Sequence, residues 1–217
     1  MPTETLEEYL ETIYKLAERG AVRPTPIAES LGVSGPTVTA TLKRLESREL
    51  ITRSGGDVVL TDAGRTLAVD IIRRHRLAER FLVDVLRLPW EEAHEDACRL
   101  EHALSPRVME ALEEYLDNPE VCPHGHPIPS AEGEIVPVKG VPLCDVDSGR
   151  TSEILQVSED DEAMLTYLGS LGMYPGTPVR VCEVAPFKGP LLIEVNGTTY
   201  ALGRDVAERI LVSADLS

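Results

Sequence analysis

From Leu6 to Leu16 the apolar residues Leu6, Tyr9, Leu10, Ile13, Tyr14 and Leu16 recur at helical spacing, with Glu7, Glu8, Glu11 and Lys15 mostly on the other face. A first amphipathic helix is predicted. Thr25 before Pro26-Ile27-Ala28-Glu29-Ser30-Leu31 offers an N-cap and a first-turn proline to a short helix that stops at Gly32. Ser34 then caps a helix over 35–45 whose Val38, Leu42 and Leu45 share one face. Two short helices about a tight Gly turn predict a helix-turn-helix. Residues 50–53 and 58–61 read as strands flanking Ser54-Gly55-Gly56-Asp57, and a hairpin in this place is a wing.

Beyond the wing, helical periodicity runs over 62–86 and again over 91–116, with a break at Leu88-Pro89. Six prolines between Asn118 and Gly149 then interrupt all periodicity, which predicts a linker or a surface loop. Strand-like runs at 153–157, 178–182, 191–195 and 199–202, one short helix at 162–171 and an Asn196-Gly197 hairpin signal predict a small β barrel. The expected architecture is thus a mainly α N-terminal half followed by that barrel. Its segments are a winged helix-turn-helix domain (1–66), a helical domain (67–128), a Pro-rich linker (129–150) and the barrel domain (151–217).

Composition narrows the function. The 217 residues carry 37 Asp+Glu against 21 Lys+Arg, a formal charge of -16, and 42% are apolar, enough for one large or two modest cores. No apolar run nears the ~20 residues of a membrane span, and Met1-Pro2-Thr3-Glu4 lacks a basic leader, so a cytoplasmic protein with no membrane partner is expected. Cys98, Cys122, Cys144 and Cys182 form no CxxC pair, which argues against a disulfide framework. The acidity is spread along the chain, with net charges of -3 over 1–70, -5 over 71–126 and -8 over 127–217. Total charge alone argues against nucleic acid, yet DNA responds to the local field, and the first third is the least acidic. Four Lys against 17 Arg fit either a GC-rich genome or a high-salt cytoplasm.

The chemistry-bearing residues gather in the two long helices. His75 and Glu79 are one turn apart, and His94, Cys98, Glu101 and His102 fall at about 0°, 40°, -20° and 80° on a helical wheel, a single stripe of four donors. Imidazole, carboxylate and thiolate together suit Fe(II), Mn(II), Co(II), Ni(II) or Zn(II) rather than Ca or Mg. Each residue alone is an ordinary polar position on an amphipathic helix; the set points to a metal. Cys122-Pro123-His124-Gly125-His126 reads as a Pro/Gly turn, because no fourth ligand stands near it in sequence. Lys43, Arg44, Arg48 and Arg53 follow the exposed end of the second helix of the motif and the wing, where phosphates would lie, and Ser34, Pro36, Thr37 and Thr39 stand at the start of that helix, where base edges are read. No HExxH, G-x-S-x-G, Walker A or GxGxxG motif occurs, so a non-enzyme is expected. A regulator sensing an organic ligand and a metal carrier remain the competing classes.

On these residues the chain resembles the diphtheria-toxin-repressor (DtxR) family of metal-dependent transcriptional regulators, in particular its longer, iron-responsive kind. The resemblance rests on Glu8-Tyr9-Leu10-Glu11-Thr12-Ile13-Tyr14, Ser34-Gly35-Pro36-Thr37-Val38, His75-Arg76-Leu77-Ala78-Glu79-Arg80, Glu95-Asp96-Ala97-Cys98-Arg99-Leu100-Glu101-His102 and Cys122-Pro123-His124-Gly125-His126-Pro127-Ile128-Pro129, in that order. It implies a regulatory metal site of Glu8, Cys98, Glu101 and His102, and a second site of His75, Glu79 and His94 completed by Glu153 and Gln156 of an SH3-like (FeoA-like) barrel. It implies further a homodimer on palindromic operator DNA, joined through the apolar side of 91–116 with Val108, Leu112 and Leu116. The chain departs from the iron-type pattern at Glu8, where Met is usual and manganese-type members have Asp, and at Ala40, where Gln is usual. Fe(II) as cofactor satisfies both Cys98 and Glu8, with Mn(II) as the alternative and Co(II), Ni(II) or Zn(II) as substitutes in vitro.

Overall fold

The computed structural model describes residues 3–159 and 161–214; the first two positions expected for the DNA-binding domain and the last three of the barrel domain lie outside them. The described residues fall into two compact units, one formed by 3–75, 101–104 and 129–134, the other by 76–100, 105–128, 135–159 and 161–214.

In the first unit, α1 (Glu4–Ala17) buries Leu6, Tyr9, Leu10, Ile13 and Tyr14. Helix α2 (Pro24–Leu31) starts earlier than its Thr25 signal predicts: Arg23 is the N-cap, and prolines tolerated in a first turn open the helix. Helix α3 (Gly35–Ser47) begins where expected, with Ser34 Oγ accepting the Thr37 N–H at 3.4 Å, and it sets Val38, Leu42 and Leu45 inward. Strands β1 (Ile51–Ser54) and β2 (Asp57–Leu60) pair antiparallel, Ile51 opposite Leu60, around Gly55 and Gly56 at φ +62° and +93°, which is the backbone that a two-residue hairpin turn demands. The Val58 N–H donates to Val22 O at 2.8 Å, anchoring the wing.

Helix α4 (Asp62–Arg80) is shorter than the periodicity predicts, passing at Phe81–Val85 into a wider π turn. The helix expected over 91–116 is two: α5 (Ala93–Glu101) and α6 (Pro106–Tyr115). Their apolar periodicity is shared, but Pro106 has no N–H to continue a ladder, and Ser105 Oγ instead caps a new helix through the Val108 N–H.

The barrel lies wholly in the second unit. Six strands, β3 (Val141–Pro142), β4 (Thr151–Val157), β5 (Pro178–Val184), β6 (Leu191–Val195), β7 (Thr198–Leu202) and β8 (Ile210–Val212), pair in the order β3-β8-β4-β5-β6-β7, antiparallel throughout. Helices α7 (Glu162–Ser170) and α8 (Arg204–Ala207) are interleaved with these strands. Val141-Pro142 and the buried Leu143, within the Pro-rich stretch expected as linker, are thus built into the barrel. Its core of Ile154, Val157, Leu165, Val179, Val181, Ile193 and Ile210 also takes in Trp90, the chain's only tryptophan. No helix among the described residues is long and apolar enough to cross a membrane.

Candidate metal centres and DNA-reading face

In the first unit three buried donors meet: Glu11 from α1, His75 from α4 and Glu101 from the end of α5, whose ligand atoms all lie within 4.8 Å of one another. The His75 Nδ1–H donates to Glu101 Oε2 at 2.7 Å. Beside it His102 Nδ1–H donates to Glu7 Oε2 at 2.8 Å, while Arg74 donates to the Glu101 carbonyl at 3.0 Å and stands 3.7 Å from Glu7. Burial raises the Glu101 pKa against the pull of His75, and Glu11 adds to the rise.

Glu8, expected at this place, is exposed, and its neighbours Glu7 and Glu11 are the buried carboxylates. A wheel centred on Leu6 carries the signal: Glu7 and Glu11 fall at about 100° and 140°, on the flank of the apolar arc, and Glu8 at about 200°, opposite it.

In the second unit Glu79, Cys122, His124 and Glu159, all buried, again bring their ligand atoms within 4.8 Å. Glu79 Oε1 is the shared node, 3.4 Å from His124 Nδ1 and 3.5 Å from His94 Nδ1. Cys98 lies on the far side of that ring, its Sγ 3.7 Å from His94 Nε2. The Nε2 of His124 is 3.0 Å from the Trp90 carbonyl, which can only accept, so Nε2 carries the hydrogen and Nδ1 is turned to the cluster. Burial pushes the Cys122 thiol well above its ordinary range, and Glu79 and Glu159 push it further. Burial opposes protonation of His124, but the hydrogen bond and charge of Glu79 with the charge of Glu159 outweigh it and raise its pKa.

The Cys122–His126 segment forms the expected turn, and that turn is also seated on the barrel. Cys122 N–H donates to His126 O at 2.8 Å, closing the loop, and Val157 N–H of β4 donates to His124 O at 3.0 Å, docking it on the barrel. Gly125 permits this: at φ +86° its missing Cβ would stand 2.0 Å from Leu155 O. Glu159 follows β4 and is the barrel's contribution, whereas Glu153 is exposed on β4 and Gln156 half-buried. The backbone N–H of Glu153 donates to Ser213 Oγ at 3.0 Å. No spacing rule in the sequence joins 79, 122, 124 and 159; only the fold does.

On the helix-turn-helix, Ser34, Pro36, Thr37, Thr39, Lys43 and Arg44 are all exposed on α3 or at its cap. Arg53 of the wing is exposed too, but its guanidinium is paired with Glu46 of α3, Nε donating to Oε2 at 3.1 Å and Nη2 donating to the same oxygen. On α6, Val108 and Tyr115 are exposed and Leu112 is half-buried, leaving an apolar stripe facing out.

Comparison with known proteins agrees along the chain. Residues 1–55 match the iron dependent repressor N-terminal DNA binding domain, 61–130 the iron dependent repressor metal binding and dimerisation domain, and 141–214 the FeoA domain. The iron-dependent repressor IdeR of Mycobacterium tuberculosis (strain ATCC 25618 / H37Rv) is 39% identical over 227 residues, 96% of each chain. The diphtheria toxin repressor of Corynebacterium glutamicum is 37% identical over 225 residues, again 96% of each chain. A solved manganese-dependent transcriptional repressor in complex with manganese superposes with a TM-score of 0.89 at 34% identity, over 96% of this chain and 99% of that one. Matched in order by these family domains and over 96% of its length by these relatives, the chain belongs to the diphtheria-toxin-repressor family of metal-dependent transcriptional regulators.

Proposed function

We propose that this chain is a metal-activated repressor of metal-homeostasis genes that binds palindromic operators as a homodimer and responds to Fe(II). The observation that carries this is the pair of buried donor sets, Glu11-His75-Glu101 and Glu79-Cys122-His124-Glu159. Donors held about 2.1 Å from one ion stand roughly 3.0–4.2 Å apart, so ligand atoms within 4.8 Å of one another suit a divalent cation with little movement of the chain. A bound cation would add positive charge where these buried carboxylates gather.

Glu11 extends from α1, His75 from α4 and Glu101 from the end of α5. Holding these three together fixes α1 against α4, and with it the setting of the helix-turn-helix that α1 packs on. Palindromic DNA demands a defined half-site spacing, so narrowing that setting raises operator affinity. The second set holds Glu159 of the barrel to Glu79 of α4. Ser34, Pro36, Thr37 and Thr39, all exposed, would meet base edges and Lys43 and Arg44 phosphates, while the outward stripe of Val108, Leu112 and Tyr115 on α6 suits the dimer interface.

The metal follows from the donors. The first set is oxygen and nitrogen only, which suits Mn(II) or Fe(II), and the second adds a thiolate, which suits Fe(II), Co(II) or Zn(II). Fe(II) serves both. An Mn(II)-responsive repressor is the second reading, favoured by the carboxylates of α1 and by the manganese complex of the structural relative. Binding to a promoter duplex of an adjacent metal-transport gene, titrated anaerobically with each of these metals, is the test. Activation by Fe(II) at the lowest free concentration is expected; activation by Mn(II) below Fe(II) selects the second reading, and metal-independent binding refutes both.

A further inference from the structure

The wing's arginine does not face the outside as an isolated cation. Arg53 sits on β1, and both its Nε and Nη2 are spent on one carboxylate oxygen of Glu46, in the last turn of α3, seven residues earlier. The pair is partly exposed, 33% and 39% for the two side chains, so it lies at the surface rather than beneath it. The hydrogen bond from Arg53 lowers the Glu46 pKa, which favours the charged carboxylate. A phosphate arriving at Arg53 therefore meets a guanidinium with a fixed negative charge alongside it.

We propose that Glu46 masks Arg53, removing the wing's cation from sequence-independent DNA binding and so sharpening discrimination between operator and other DNA. This rests on the reading of the helix-turn-helix as the DNA-binding face. Non-specific affinity is carried by cations that displace counterions from phosphates, whereas base contacts from the start of α3 do not depend on Arg53. In a chain of charge -16 with few basic residues on α3, taking one cation out of the phosphate count is a large fractional change.

The test compares the full-length, Mn(II)-loaded protein with E46Q, R53A and the E46Q/R53A double variant, by anisotropy on a labelled duplex of arbitrary sequence over about 50–200 mM salt. E46Q should bind this duplex more tightly, with the log affinity–log salt slope steeper by about 0.9, so that its advantage shrinks about 3.5-fold across that range. R53A should leave the wild-type slope unchanged, and the double variant should lose what E46Q gained. If E46Q keeps the wild-type slope, or if R53A flattens it, Glu46 does not mask Arg53 and the idea falls. Wild-type protein that binds no duplex at all would instead sink the DNA-binding reading itself.

Discussion

Replacing Gly125 by Ala isolates the device that seats the Cys122–His126 loop on the barrel. Two costs are expected. An Ala at φ +86° occupies backbone space that L-residues avoid, worth about 1–3 kcal/mol. Its Cβ would also lie 2.0 Å from Leu155 O and 2.9 Å from Gln156 Cα, so loop and β4 must separate, and the Val157 N–H to His124 O bond, worth about 0.5–1.5 kcal/mol, is weakened or broken. The sum is a destabilisation of about 1.5–4.5 kcal/mol. Gly149 supplies the control, because it has nearly the same φ, +87°, and nothing within 4 Å of its would-be Cβ. G149A thus reports the backbone cost alone. Urea unfolding of metal-free protein can be followed by Trp90, which packs in the barrel core with its ring centroid 5.3 Å from that of His124. G125A should fall below G149A by about 1 kcal/mol or more. If the two are equally stable, the close approach of loop and strand is not what Gly125 provides, and if G125A matches wild type the loop is not seated on β4 in this way.

Metal uptake at the Glu79-Cys122-His124-Glu159 cluster should strengthen as pH rises through neutrality: the Cys122 thiol holds its proton far into the alkaline range and the His124 pKa is raised, so a cation must displace protons that are scarcer at higher pH. Co(II) titrations followed by thiolate-to-metal absorption check this, and an affinity that falls with pH would contradict it. Glu11→Gln should weaken metal-dependent operator binding far more than Glu8→Gln, since Glu11 is buried beside His75 and Glu101 and Glu8 is exposed; equal effects would return Glu8 to the site. Lys43→Ala with Arg44→Ala should lower affinity for every DNA sequence and flatten the salt slope by about one unit for each phosphate that is no longer neutralised, while an unchanged slope would move the docking face elsewhere.

The local elements were legible wherever a residue's neighbours along the chain settle its conformation. Ser34 before Gly35-Pro36, the Gly55-Gly56 turn and Asn196-Gly197 each carry their own backbone chemistry, and their helix or hairpin stands where that chemistry puts it. Periodicity also told which helices have an apolar face. It could not tell that Ser105-Pro106 divides one such face into two helices, because both halves keep the same stripe. The sites divide in the same way. His75, one turn before Glu79, and Glu101, in the stripe with His94, Cys98 and His102, are legible as donors from helical spacing, and a closer wheel separates Glu7 and Glu11 from Glu8. Cys122 and His124 looked like an ordinary turn because a ligand set is a property of space: Glu79 stands 43 residues before Cys122 and Glu159 stands 35 after His124. What brings them together is the docking of one loop on β4, made possible by a missing Cβ at Gly125. Likewise Arg53 is a free cation in the sequence and half of an ion pair in the fold, because strand β1 returns along α3 and carries it back to Glu46. The sequence by itself thus determined the elements and the kinds of donor; tertiary structure decided which donors come within reach of one another, since coordination and charge pairing act over a few ångströms whatever the distance along the chain.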